Sequence, residues 1–499
     1  MAEKQLQSLA KDTAIYGVSS ILGKFLNWLL VPMYTYVLAG SADYGQVANL
    51  YAWSALLLVI MTYGMETGFF RFANKNKENA VRVYGNTLIS VGLTSLLFGV
   101  AAVLFSQPVA NALGYALHPE YIAMMGLVIA MDAFGSIPFA WLRFKNRPIK
   151  FASFKLLMIL TNILFNIFFL VVCPWIYKHT PGLIDWFYRP DYGVGYVLVT
   201  NVIQTVVVTL LLIPEVRNAN FTFDSGLLRQ ILRYSLPLMV LGIAGIMNQT
   251  LDKIIFPYLM DDPDKAISEL GIYSACFKIS MVMMMFTQAF RYAYEPFIFA
   301  RHKDKNSKEA YADVMKFFVI FSWLIFLGMV FYMDLIQYLI RSDYRVGMKV
   351  IPIVLLSYIF QGVFFNLSLW YKLTDKTHYG AWISLIGTII TLAINIVFVP
   401  VFSYMASAWA SFACYLVMMI ISYYLGQKHM PVNYDLKRIG FYTVLALGLF
   451  GSSFLINTGY IAVNVAIKTI LFGIYIYIVI KTDFPLDKIP YISKLVKRM

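Results

Sequence analysis

Charged residues are scarce in this sequence. Asp, Glu, Lys and Arg make up 13% of its 499 residues, whereas hydrophobic residues make up 60%. Soluble globular domains have roughly 25% charged and 45–50% apolar residues. The composition therefore excludes an ordinary soluble protein and indicates an all-α integral membrane protein with many spans.

Cysteine and histidine are also scarce. The three cysteines, Cys173, Cys276 and Cys414, lie far apart within apolar runs, so the sequence contains no disulfide framework and no metal-ligand spacing. All five histidines fall in segments that connect apolar runs, and there is no HExxH motif. We therefore expect no metal site and no cofactor.

Long polar segments are missing as well. The largest external connection, residues 178–193, has about sixteen residues, which leaves no room for a soluble catalytic domain. We therefore expect a protein that is not an enzyme. A membrane glycosyltransferase or polysaccharide polymerase is the alternative, but such enzymes usually need a larger external loop or acidic pairs at the interface.

Apolar runs fill most of the chain. A helix that crosses the hydrocarbon core needs about 20 mainly apolar residues. This length predicts about fourteen transmembrane helices, at residues 14–38, 47–69, 84–105, 121–141, 156–177, 194–214, 234–259, 271–290, 314–332, 350–371, 382–402, 405–426, 438–455 and 460–480.

The placement of basic residues predicts the orientation. The net charge is +14, but the charges punctuate apolar runs and form no continuous basic face, so we expect no nucleic-acid partner. Most of the 40 Lys and Arg residues fall on the side that holds the N-terminus, and six fall on the other. Cytoplasmic connections are rich in Lys and Arg. We therefore expect a cytoplasmic tail before an uncleaved first helix, and a cytoplasmic C-terminus.

Weak self-similarity relates the two halves of the chain. Asp43-Tyr44-Gly45 corresponds to 270–273, and the asparagine of 166–169 corresponds to that of 395–398. Each copy has six spans in the same direction, which predicts parallel repeats about an axis along the membrane normal. We predict a six-helix lobe over 1–220, a second over 221–430, and two additional helices and a cytoplasmic tail over 431–499.

Three degenerate motifs point to a family. They are a basic residue inside the first span (Lys24) followed by D-Y-G at 43–45, N-Q-x-x-D-K at 248–253, and G-I-Y-S-A at 271–275 followed by Lys278. With these motifs and fourteen spans, the chain resembles the polysaccharide-exporter branch, which includes O-antigen flippases, of the multidrug/oligosaccharidyl-lipid/polysaccharide exporter superfamily.

The resemblance implies a flippase that moves undecaprenyl-diphosphate-linked oligosaccharide units across the bacterial inner membrane, as in lipopolysaccharide biosynthesis. It also implies a cavity between two six-helix lobes that opens alternately to each side. Its partners would be the lipid-linked substrate and membrane lipids, and we expect a monomer. Whether a proton or a sodium ion couples to transport is open, as is the identity of the glycan.

A diphosphate inside the membrane needs cationic partners, and Lys and Arg supply them. We predict that Lys24, Lys253 and Lys278 bind the substrate, because charges at membrane depth usually face a water-filled cavity or a protein interior. The alternative for each is a lysine that extends to the interface or bonds between helices.

Acidic residues in the spans are candidates for ion coupling or ion pairing. Asp252 and Lys253 are adjacent, so they are expected to point about 100° apart on a helix, and we expect Asp252 to pair with Lys24 or Lys278 or to exchange a proton. Asp132 would carry a proton or accept hydrogen bonds. Near the inner helix ends, we expect gating or anchoring ion pairs from Glu66, Arg71, Arg291 and Glu295.

Two related functions compete with this prediction. A cation-coupled multidrug exporter would favour a cavity rich in Asp and Glu, whereas the predicted interior has an excess of lysine. A flippase for the peptidoglycan lipid precursor would use the same electrostatics, because it shares the lipid carrier.

Overall fold

The computed structural model describes residues 17, 21–75, 77–301, 307–374, 376–456 and 458–483. Regular structure in these residues is helical, without a strand, and twelve helical segments among them are long and apolar enough to cross a membrane. The prediction of an all-α, multi-pass membrane protein is confirmed.

The α-helices are numbered in chain order. They are α1 (described over 21–28), α2 (Leu30–Val37), α3 (Ser41–Thr62), α4 (Met65–Lys75), α5 (Ala80–Leu104), α6 (Ser106–Leu113), α7 (Pro119–Phe144), α8 (Pro148–Ile167), α9 (Cys173–His179), α10 (Gly193–Val216), α11 (Ser225–Ile255), α12 (Pro263–Arg301), α13 (Ser307–Phe331), α14 (Met333–Ile336), α15 (Ile351–Leu367), α16 (Leu369–Leu373), α17 (His378–Phe402), α18 (Tyr404–His429), α19 (Leu436–Ser453) and α20 (Ile461–Asp483).

The exact count of fourteen spans is not confirmed. Twelve of the predicted spans coincide with the twelve long apolar segments. The first predicted span begins at residue 14, and residues 14–16 and 18–20 lie outside the described part. The thirteenth corresponds to α19, which has 18 residues and carries Lys437 and Arg438 near its start, so it is short and less apolar.

The chain forms two compact units. One contains residues 1–275 and 384–411, and the other contains residues 276–383 and 412–499. The predicted lobe boundaries stay a prediction.

An aromatic stack forms much of the core of the first unit. The ring of Tyr84 on α5 stacks on Trp141 of α7 with 4.5 Å between centroids, and Phe69 of α4 packs 6.0 Å from Tyr84. The Tyr84 hydroxyl donates to the backbone oxygen of Glu215 at 3.0 Å. The stack therefore joins α4, α5, α7 and α10 at one end.

Buried amides connect four helices of the same unit. Tyr34 donates to Asn166 at 3.0 Å, Asn162 donates to Asn201 at 3.2 Å, and the Asn201 amide contacts the Tyr51 hydroxyl at 2.7 Å. Such polar contacts hold helices together where lipid offers no hydrogen-bond partner. They fix α2, α3, α8 and α10 against one another.

In the second unit, a buried carboxylate ties the C-terminal helices to α13. Asp483, at the end of α20, accepts from Arg438 at 2.6 Å and from the Tyr442 hydroxyl at 2.5 Å, and Lys316 of α13 lies 3.4 Å away. Two cations and a hydroxyl compensate for the burial of this carboxylate. The two helices that follow the predicted repeat are thus anchored by charge as well as by apolar contacts.

Two glycines allow α3 and the first turns of α12 to touch. A Cβ atom on Gly45 would overlap the backbone oxygen of Ile267, and one on Gly271 would overlap the backbone oxygen of Ser41. The hydroxyls of Ser41 and Ser268 lie 2.6 Å apart beside them. The contact is reciprocal, and it joins the two segments that the sequence pairs as repeat counterparts.

Gly45→Ala is therefore expected to lower the free energy of unfolding by about 1–3 kcal/mol, the usual range for an overpacked contact. The backbone atoms that the new methyl would meet cannot rotate away as a side chain could. Thermal unfolding of the purified protein in detergent measures the effect. Gly448→Ala on α19 makes the same change where nothing lies within 4 Å, and equal melting temperatures of the two variants would contradict the packing account.

Candidate functional site

Asp252 and Lys253 form a buried ion pair near the end of α11. The Lys253 ammonium lies 3.0 Å from Oδ2 and 3.1 Å from Oδ1 of Asp252. The two residues are 3% and 8% exposed, respectively. Tyr273 of α12 donates its hydroxyl to Oδ2 of Asp252 at 2.7 Å. Because the carboxylate is paired and hydrogen-bonded, it avoids the large penalty of an isolated charge in a low-dielectric interior.

The backbone beside this pair is also satisfied. Pro257 has no N–H, so the carbonyl of Lys253 lacks the donor that a continuing helix would provide. Asn49 of α3 supplies it, donating to the Lys253 oxygen at 2.8 Å, and Tyr115 donates to the Asn49 side-chain oxygen at 2.9 Å. The pair is therefore held between α3, α11 and α12.

The structure brings these two adjacent residues into contact. Successive Cβ atoms on a helix do diverge by about 100°, but the four-carbon stem of Lys253 is flexible and folds back to its neighbour. Asp252 therefore takes its ion-pair partner from its own helix, and not from Lys24 or Lys278 as expected.

Asn248 extends the polar face one turn before Asp252. Its amide donates to the backbone oxygen of Ser384 at 3.1 Å, and its oxygen accepts from the Thr388 hydroxyl at 2.9 Å. This stripe fixes α11 to α17 within the first unit.

The two other predicted substrate lysines differ in exposure. Lys24 lies on α1 with an exposed side chain, and Lys278 lies on α12 with a partly buried one. Both have interaction partners in the structure. Their roles stay predictions.

Glu66 and Arg71, two of the residues predicted to form ion pairs at the inner helix ends, both lie on α4. Glu66 pairs with Arg143 of α7 at 2.6 Å. Arg71 instead covers the ring of Tyr234, 4.0 Å from its centroid. The reason is that Arg71 lies five residues after Glu66 and points away from it, whereas α7 brings Arg143 alongside.

Arg291 lies over the ring of Phe365 in the second unit, 5.1 Å from its centroid. The side chain of Glu295 lies outside the described part of the chain. The predicted Arg291–Glu295 pair and the gating role stay predictions.

Asp132 lines a cavity of about 530 Å³ within the first unit. The Glu66–Arg143 pair, Thr205 and Lys155 line it too. Lys155 was not among the predicted site residues, because the predicted spans 121–141 and 156–177 leave it in the connection between them. Pro148 was the available signal, because proline favours the first turn of a helix and α8 begins there, which places Lys155 two turns inside the helix.

None of the groups of His, Cys, Asp and Glu among the described residues could hold a metal ion.

The amino-acid sequence matches the family model described as "Polysaccharide biosynthesis protein" over residues 9–300. A second family model, MatE, matches residues 266–397. A sequence comparison with curated proteins found no match.

Solved structures share the fold over nearly the whole chain. The "Lipid II flippase MurJ, inward closed conformation" is 12% identical, with a TM-score of 0.73 over 94% of this chain and 99% of that one. An inward-facing multidrug resistance MATE family transporter of the MOP superfamily is 12% identical, with a TM-score of 0.64 over 82% and 96%. A MOP superfamily transporter from Pyrococcus furiosus is 12% identical, with a TM-score of 0.59 over 85% and 98%. The chain thus has the fold of these transporters.

Proposed function

The chain belongs to the polysaccharide biosynthesis protein family, and from this premise we propose that it is a flippase for lipid-linked oligosaccharide. It moves undecaprenyl-diphosphate-linked sugar units across the bacterial inner membrane for surface polysaccharide synthesis. Both termini lie in the cytoplasm, and two lobes open a central cavity alternately to each side.

Lys24 is the observation that carries this proposal. Its side chain is exposed, and it lies near mid-depth of the first predicted span. A lysine at the bilayer centre is unfavourable by about 2.5–3.5 kcal/mol on insertion scales, which supports a water-filled surface around it. An anionic diphosphate is a ligand that such a lysine stabilises.

Lys278 is the proposed second contact, because a diphosphate presents several acceptor oxygens. Lys253 differs, since it already binds Asp252 at 3.0 Å. It reaches a phosphate only when it leaves this partner, so we propose that the Asp252–Lys253 pair links substrate binding to ion exchange at Asp252.

A multidrug exporter is the rival with the same fold, and a MATE family transporter is among the structural neighbours. A drug cation requires uncompensated carboxylates. The carboxylate of Asp252 is compensated by Lys253 and Tyr273, and Asp132 shares its cavity with Lys155, so neither carboxylate leaves a net negative site for a cation. A peptidoglycan-precursor flippase is the second rival, since one neighbour is a lipid II flippase, and the two substrates share the lipid diphosphate.

The test is whether the protein moves the lipid-linked sugar across the membrane without changing it chemically. The purified protein is placed in liposomes with a radiolabelled lipid-linked sugar, and both the leaflet position and the chemical identity of the label are measured. We expect the label to change leaflet and to stay chemically unchanged. A new glycosidic bond, or no movement relative to empty liposomes, would contradict the proposal.

A further inference from the structure

The cavity around Asp132 lies inside the first compact unit, between α3, α4, α7, α8 and α10. Its volume of about 530 Å³ is within the range of small-ligand sites, about 300–1,000 Å³. Its polar lining includes Glu66, Asp132, Arg143, Lys155 and Thr205. Ionisable residues at membrane depth indicate a functional site by default.

Two charges in this cavity are not ion-paired. Among the described residues, Asp132 and Lys155 have no ion-pair partner within 4.0 Å, although they interact electrostatically with each other. The Lys155 ammonium instead lies 4.1 Å from the centroid of the Phe139 ring. The cavity thus holds a hydrogen-bond acceptor, Asp132, and a hydrogen-bond donor, Lys155, that do not form an ion pair with each other.

Thr205 places a hydroxyl beside Asp132. Its side chain is 2% exposed and lines the cavity, and its hydroxyl interacts with the Asp132 carboxylate. The cavity therefore presents a carboxylate, a hydroxyl and an ammonium to a ligand that enters it.

The charges of the lining define the class of ligand. Glu66 and Arg143 compensate each other at 2.6 Å, and Asp132 and Lys155 carry opposite charges, so the cavity has no formal net charge. A phosphate would meet two carboxylates, and a metal cation would meet two basic groups. A neutral molecule with several hydroxyls can both donate to Asp132 and accept from Lys155 and Thr205.

We propose that this cavity binds a neutral sugar residue of the transported glycan. This inference rests on the proposed function, and it assigns recognition of the sugar to residues other than the lysines proposed for the diphosphate. Asp132 accepts hydrogen bonds from sugar hydroxyls, and Lys155 and Thr205 donate to them.

Saturation-transfer NMR on the purified full-length protein in detergent tests the proposal. The probes are free galactose, rhamnose and N-acetylglucosamine, with glucuronate and glucosamine as charged comparators. We expect at least one neutral sugar to bind, and the charged sugars to bind more weakly. Lys155→Met and Thr205→Val should each weaken that binding by about tenfold or more.

Two control variants make the same chemical changes outside the cavity. Lys145→Met alters an exposed lysine, and Thr94→Val alters an exposed threonine on α5 whose hydroxyl bonds to its own helix. Both should bind sugar like the wild type. Melting temperatures identify any cavity variant that fails to fold, and Lys155→Arg then tests the site with the charge kept.

Three results would overturn this inference. They are no binding of any neutral sugar, equal binding by the cavity variants and their controls, and a charged sugar bound more tightly than the neutral ones. Unchanged sugar binding in Asp132→Asn would contradict the role of Asp132 as an acceptor for the sugar, and loss of proton-dependent transport in that variant would assign Asp132 to ion coupling instead. Transport of the lipid-linked sugar by the wild type in liposomes is measured separately, so failure of the sugar site and failure of the proposed function are distinguishable.

Discussion

Lys24→Ala is expected to abolish complementation of a surface-polysaccharide defect while the protein still inserts into the membrane. A hydrogen bond to a charged group contributes about 1.5–3 kcal/mol, which corresponds to a loss of roughly tenfold or more in binding. The effect on transport should be larger, because an unneutralised diphosphate would have to cross the apolar region. Membrane abundance of the variant is measured alongside surface polysaccharide.

Lys24→Arg is expected to keep part of the activity. Arginine retains the charge, but it donates from a planar fork and not from a compact ammonium. Lys145→Ala removes an exposed basic residue at the end of α7 and should have no effect. Full activity of Lys24→Ala at normal abundance would remove Lys24 from the mechanism.

Breaking the Asp252–Lys253 pair is expected to produce the largest loss of stability. Removing one partner leaves an uncompensated charge in a buried site, which costs about 3–5 kcal/mol. Lys253→Ala removes the cation beside the Asp252 carboxylate, which then keeps only two hydrogen-bond donors, the Tyr273 hydroxyl and the backbone N–H of residue 253. Asp252→Ala removes the carboxylate that pairs with Lys253, although the ammonium keeps the Gln249 backbone oxygen at 3.3 Å. Thermal unfolding of each variant in detergent measures the loss.

The double variant Asp252→Leu/Lys253→Met is the matched control. It removes both charges and fills similar volume, so it should be closer to the wild type in melting temperature than either single variant. It should nevertheless lose transport if the pair links substrate binding to ion exchange. If the single variants had the same melting temperature as the double variant, neither charge would depend on the other for its contribution to stability.

The sequence was informative about the membrane fold because a spanning helix needs a long apolar run. It was less informative about breaks inside those runs. Residues 47–69 look like one uninterrupted span, yet Tyr63 and Gly64 have φ values of 31° and 70°, which end α3 and start α4. Tyr63 gives no sequence signal of a left-handed backbone. Gly64 gives a weak one, because single glycines are common within membrane helices.

The candidate site was predicted less completely than the fold. Asp252 stood out because it is acidic within an apolar run, but a helical projection follows Cβ directions and misses how far a lysine side chain can fold back. Arg143 and Lys155 were counted as loop charges, although Arg143 lies in the last turn of α7 and Lys155 lies two turns inside α8. The groups that they contact, Glu66 and Phe139, come from other helices, which no local pattern identifies.

The central claim is that the protein carries an anionic lipid diphosphate and not a cation. The most direct measurement follows two fluorescent substrates in the same proteoliposomes, a lipid-diphosphate-linked oligosaccharide and a cationic dye of the kind used for drug exporters. We predict that the lipid-linked oligosaccharide changes leaflet, that Lys24→Ala stops it, and that the dye is not transported. Transport of the dye with no movement of the lipid would contradict the account.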